Sequence, residues 1–138
     1  MMPSIRGVVI AAALFCVSGA AAQAEVLECQ FADYRGDGKR ALAESVVPRT
    51  STLILDGLVA QLKETGVSGG LTFDGNVFRI EMQDRMPAPV SGDAKIIWEI
   101  KRSNGEARVR TRAVRQNPWD DFPERNGIFI IKGRCSAR

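Results

Sequence analysis

Residues 94–115 read AKIIWEIKRSNGEARVRTRAVR, two alternating runs on either side of one turn. In the first run Ile96, Trp98 and Ile100 share a face. In the second, Ala107, Val109, Thr111 and Ala113 face one way, and Arg108, Arg110, Arg112 and Val114 the other. Successive side chains of a strand point to opposite sides, so alternation of this kind marks half-buried strands rather than a helix. Ser103-Asn104-Gly105-Glu106 supplies the turn between them.

The same period recurs outward from this hairpin. Leu71-Thr72-Phe73 and Val77–Met82 flank Asp74-Gly75-Asn76, with Phe78, Ile80 and Met82 assigned to the core. Thr52–Asp56 and Leu58–Lys63 flank Asp56-Gly57, a dipeptide that suits a tight hairpin. A short helix through Leu58, Val59 and Leu62 is the rival there. Glu25–Phe31 alternates with Leu27, Cys29 and Phe31 inward, and Phe129, Ile131, Gly133 and Cys135 share a face of the last run. Ile128 and Ile130 lie on its other face. Ala32–Arg40, Thr65–Gly70, Gln83–Asp93 and Gln116–Asn126 read as connections, and Ala41–Val47 fits either helix or strand. The Arg35-Gly36-Asp37 tripeptide is a chance occurrence in a turn. Asp33 and Asp37 lack the ligand spacing of a calcium loop. The sum is an all-β domain of about eight short strands. We expect a small antiparallel meander or closed β-barrel, with a β-sandwich as the alternative.

The first residues read as an address. Arg6 precedes an apolar run from Gly7 to Val17, and Ala22-Gln23-Ala24 offers small side chains for cleavage, so residues 1–24 are expected to be a signal peptide. The run is too short for a membrane span, and Phe15 before Cys16 does not fit a lipoprotein site. Cleavage after Ala24 leaves 138 − 24 = 114 residues, a single domain at 25–138 with a charge of 18 − 16 = +2. That small charge and an expected periplasmic or secreted location argue against a nucleic-acid partner. Cys29 and Cys135 remain as the two cysteines. In an oxidising compartment they are expected to bond, and an even-stranded barrel makes the terminal strands antiparallel neighbours. Two separate buried thiols are the alternative.

The available chemistry is narrow. The chain has no histidine, which excludes imidazole catalysis and most zinc sites. A bonded cysteine pair leaves no thiolate nucleophile, and no phosphate-binding or dinucleotide glycine motif is present. No cofactor, metal or enzymatic activity is therefore expected. Trp119, Asp120, Asp121 and Phe122 form a candidate loop site, read first as a surface turn with aromatic residues lying over the barrel. The stronger candidate is basic. Between 95 and 115, Lys95, Lys101, Arg102, Arg108, Arg110, Arg112 and Arg115 stand against Glu99 and Glu106. Arg108, Arg110 and Arg112 project from one strand face at about 7 Å intervals, which suits an anionic or acidic partner. The plainer expectation is a solvated face paired with carboxylates such as Glu99.

The stretch Val67-Ser68-Gly69-Gly70-Leu71-Thr72-Phe73-Asp74-Gly75-Asn76 resembles the Ser-Gly loop and hairpin of the small periplasmic inhibitors of C-type lysozyme, which are β-barrels. The resemblance makes Ser68 the position of interest. It is confined to this stretch: Phe73 stands where that family tends to have tyrosine, and a second motif with Thr-Lys-Gly is absent. The expected function is a non-catalytic binding or inhibitor module that recognises an anionic envelope component or a protein partner. An envelope assembly factor with an exposed apolar patch around Ile128 and Ile130 is the second expectation. A glycan-directed enzyme pairing Asp120 or Asp121 with Glu81 or Asp84 is the third.

Overall fold

A computed structural model describes residues 24–36, 39–87, 92–114 and 128–138. Eight strands follow in chain order: β1 Glu25–Gly36, β2 Thr50–Asp56, β3 Val59–Leu62, β4 Ser68–Asp74, β5 Val77–Arg85, β6 Asp93–Lys101, β7 Glu106–Ala113 and β8 Phe129–Ala137. Among the described residues one helix, α1 Arg40–Val46, lies between β1 and β2. Each strand pairs antiparallel with the next, and β8 pairs with β1, so the sheet is a closed barrel. Closure gives every strand two neighbours and leaves no open edge.

The turns that close the hairpins are those marked by glycine. Asp56 pairs with Val59 and Asp74 with Val77, with Gly57 at φ +65° and Gly75 at φ +60° in the two-residue loops. Left-handed backbone is open to glycine at little cost. The Asp56-Gly57 segment is thus a hairpin and not a helix. Several boundaries differ from the sequence reading: β5 runs on through Arg85 and β6 begins at Asp93, both inside the stretch read as the Gln83–Asp93 connection. β1 continues through Gly36, into the stretch read as a loop, because β8 supplies pairing partners as far as Phe129. β4 begins at Ser68 because Gln61 and Ala60 pair with Ser68 and Gly69. The expected signal segment, the Trp119–Phe122 loop, Arg115 and Asp37 lie outside the described residues, Ala24 apart.

Alternation fills the lumen. Leu27, Cys29, Phe31, Leu53, Leu62, Ile80, Ile96, Trp98, Ile100, Val109, Phe129 and Ile131 are all buried. Phe31 meets Trp98 edge-on, with ring centroids 5.7 Å apart, a favoured aromatic geometry. Cys29 and Cys135 stand directly opposite in the β1–β8 register and are bonded, with Cα atoms 3.9 Å apart. The Cys135 N–H donates to Gly105 O at 2.7 Å, away from β1. The cysteines therefore occupy a non-hydrogen-bonded pair, the position where facing side chains come closest.

A β-bulge falls between Phe31 and Asp33, where Phe31 pairs with Gly133 and Asp33 with Lys132. The extra residue flips the alternation. Tyr34 turns inward beside Ile131, while Asp33 and Arg35 turn out beside Lys132 and Ile130.

The ambiguous Ala41–Val47 stretch is helical as far as Val46. Leu42, Ala43 and Val46 are buried in the core. That spacing places them on one helical face, and Pro48 favours extended backbone at Val47, ending the helix. The Tyr34 hydroxyl donates to Val47 O at 2.7 Å and ties β1 to the helix end. Burial, assisted by the nearby Glu44 carboxylate, raises the Tyr34 pKa from 10.0 to about 12. Its neutral form is favoured in the fold, so its contribution is complete below pH 10 and is lost as pH rises towards 12. Tyr34 is the one tyrosine of the chain, so tyrosinate absorbance reads this group alone. Titration is expected to show a single alkaline step near 12 in the folded protein. Tyr34→Phe is expected to cost about 1 kcal/mol at neutral pH, allowing for its partial exposure. A step at the ordinary tyrosine value would contradict this packing.

A second tie joins the β3–β4 turn to β2. The Glu64 carboxylate accepts from the Thr52 N–H and hydroxyl, each at 2.8 Å. Burial pushes the Glu64 pKa up, but the two Thr52 hydrogen bonds outweigh it and hold the group below its usual 4.5.

Candidate functional site

Strand pairing sets the outer wall of β6, β7, β8 and β1 in rows. One row runs Glu99, Arg108, Lys132, Asp33, and the next runs Ile97, Arg110, Ile130, Arg35. Arg112 lies opposite Lys95. Arg108, Arg110, Arg112 and Lys132 are exposed, because their inward neighbours Val109, Thr111 and Ile131 fill the lumen.

The expected pairing of the arginines with Glu99 does not occur. Glu99 instead takes the Arg79 guanidinium of β5 at 3.0 Å. Arg79 also approaches Glu81 at 3.6 Å, and Lys95 reaches the same carboxylate at 3.6 Å. Lys101 pairs with Glu106 at 3.2 Å. That hydrogen-bonded ion pair holds the Glu106 carboxyl below its usual value. On the far side Arg35 takes Asp33 at 3.0 Å. The Arg134 guanidinium donates to Asn104 O at 2.8 Å. No ion pair among the described residues engages Arg108, Arg110, Arg112 or Lys132.

Among the described residues these four cations on two adjacent strands thus have no carboxylate partner, Arg134 being held by a carbonyl instead, and Arg108 stands directly across from Lys132. Like charges at opposed positions destabilise a sheet, and an anion lying over them relieves the repulsion. Two grooves meet at this pair. One, of about 750 Å³, runs past Arg79, Glu99, Lys101 and Arg134. The other, of about 390 Å³, runs past Asp33, Arg35, Ile128 and Ile130. Both are lined by Arg108 and Lys132.

Of the sequence candidates, Arg108, Arg110 and Arg112 are brought together. Lys101 shares their face but is neutralised by Glu106. Arg102 does not join them: its guanidinium lies 4.9 Å from the Phe78 ring centroid, at the barrel end. Lys132 was missed because charge was considered only within residues 95–115, and it lies on the last strand. Its outward position follows from the alternation of Ile131 and Gly133, yet its nearness to Arg108 depends on register. Ser68 is exposed at the start of β4 and pairs with Gln61. Trp119, Asp120, Asp121 and Phe122 fall outside the described residues, so the proposed pairing with Glu81 or Asp84 has no geometry here. No protein-family model, curated protein or solved structure matches the chain.

Proposed function

We propose that this is an exported, non-catalytic binding module whose β7–β8 face recognises an anionic component of the cell envelope or an acidic protein surface. The observation that carries the reading is the set of four cations, Arg108, Arg110, Arg112 and Lys132, that no carboxylate among the described residues engages on one contiguous wall. Glu99 stands across from Arg108 and Asp33 from Lys132, yet each of these carboxylates bonds another cation. The Cys29–Cys135 bond is compatible with an oxidising compartment, and the signal-like residues 1–24 support export.

Immobilised heparin tests the reading with a generic polyanion. The protein is expected to be retained at low salt and released as salt screens the contacts. The variant R108Q/R110Q/R112Q/K132Q is expected to lose about tenfold or more in affinity. Lys63→Gln, at an exposed position on the β3–β4 turn, serves as the charge control and is expected to elute with the wild type. Absence of retention, or equal elution of the fourfold variant and the wild type, would overturn the proposal.

A further inference from the structure

We propose that the occupant of this face is an anionic lipid surface, with the four cations meeting headgroup phosphates and Ile97, Ile128 and Ile130 meeting the apolar boundary beneath them. The inference rests on the anion-recognition reading above and narrows it to one ligand class. Three features of the wall carry it.

The first is the form of the charge array. Arg108, Arg110 and Arg112 stand at about 7 Å intervals along a strand, on the outside of a barrel, with Lys132 beside Arg108. Such cations spread over a surface and do not converge on one point. A single small anion is held by donors aimed at a common centre, whereas a sheet of headgroups presents many separate phosphates.

The second is the apolar component. Ile97 and Ile130 flank Arg110 on the neighbouring strands, and both are half-buried. Ile128 is 43 % exposed and lines the groove that ends at Arg108 and Lys132. A purely electrostatic ligand has no use for these side chains. Arginine heads with isoleucines between them match the two layers of a lipid interface.

The third is the border. Towards β5, Arg79–Glu99, Lys95–Glu81 and Lys101–Glu106 are internally neutralised. Towards β1, Arg35–Asp33 is neutralised. On this wall the described cations that lack an ion pair therefore lie on two adjacent strands, the footprint expected where a convex wall touches a flat surface.

Co-sedimentation with vesicles tests the proposal, using phosphatidylglycerol and phosphatidylcholine in equal parts and phosphatidylcholine alone. The intact protein is expected to bind the first and not the second. R108Q/R110Q is expected to weaken binding by about fivefold per cation. I128T/I130T keeps branched side chains suited to a strand and is expected to weaken vesicle binding by about tenfold while leaving heparin elution unchanged. Far-ultraviolet circular dichroism establishes that each variant retains the barrel. Retention on heparin without binding to anionic vesicles would overturn the lipid assignment and leave the broader anion reading standing. Failure on both would overturn both. Vesicle binding by I128T/I130T equal to that of the wild type would overturn the apolar part and with it the assignment to a lipid interface.

Discussion

Replacement of both cysteines, C29A/C135A, is expected to lower the stability of the barrel by about 4 to 5 kcal/mol. The bond spans a sequence separation of 106, so it restricts the unfolded ensemble over nearly the whole domain. In the chain-entropy account the loss grows with the logarithm of loop length, which places a loop of this size near the top of the range. Domains of this kind have total stabilities of roughly 5–15 kcal/mol, so the bond accounts for a large share. The folded barrel is expected to keep its topology, since β1 and β8 remain joined by a ladder from Leu27–Ala137 to Gly36–Phe129. Urea unfolding with and without reductant checks this. Reductant is expected to lower the wild-type midpoint to about that of the double variant and to leave the variant unchanged. A wild-type midpoint indifferent to reductant would show that the closure is not covalent.

Gly133→Val is expected to cost about 3 kcal/mol or more, the upper range for overfilling a packed site. A Cβ at Gly133 would sit 2.0 Å from Gln30 O and 2.6 Å from Phe31 Cδ1. The first contact is backbone, held in the β1–β8 ladder by the pairing of Gln30 with Arg134. Phe31 in turn is held against Trp98. Neither neighbour has free space to move into, so the strain reaches the bulge that turns Asp33 and Arg35 outward. Trimming the ring with Phe31→Leu is expected to leave most of the loss in place, because the Gln30 carbonyl remains. Gly70→Ala is the matched control. Its Cβ would meet nothing within 4 Å, and a change within about 0.5 kcal/mol is expected. Equal denaturation midpoints for Gly133→Val and Gly70→Ala would contradict the close approach of β8 to β1.

The two sites differ in how far they could be read beforehand. The Cys29–Cys135 bond is legible from two cysteines in an expected oxidising compartment, with alternation turning both inward near the ends of the meander. Gly133 was legible only as an inward position in the last strand. Its need for hydrogen in place of a side chain arises from the Gln30 carbonyl and the Phe31 ring across the ladder, and no residue of Ala32-Asp33-Tyr34 announces the bulge beside them. Simple continuation from Phe31 would have turned Asp33 and Arg35 inward and Tyr34 to solvent. The opposite arrangement is preferred because an aromatic ring fits the lumen and two charges do not. The same limit affected the helix. Ala41–Val47 is too short for its period to decide, and only the apolar surface it covers selects the helical form.

The sequence by itself determined the strand period, the glycine turns, the identity of the lumen residues and the outward row Arg108, Arg110, Arg112. These depend on neighbours along the chain, where the two-residue repeat and the turn propensities act. Tertiary structure decided which charges on the wall are neutralised. Glu99 stands across from Arg108 on one side and from Arg79 on the other, and it bonds Arg79. That choice, with the register that sets Lys132 against Arg108, leaves Arg108, Arg110, Arg112 and Lys132 without an ion pair among the described residues. Ion pairing depends on distances across strands and on competition between neighbours. A linear reading of the residues 94–115 shows the arginines but holds no information on which carboxylate each one loses.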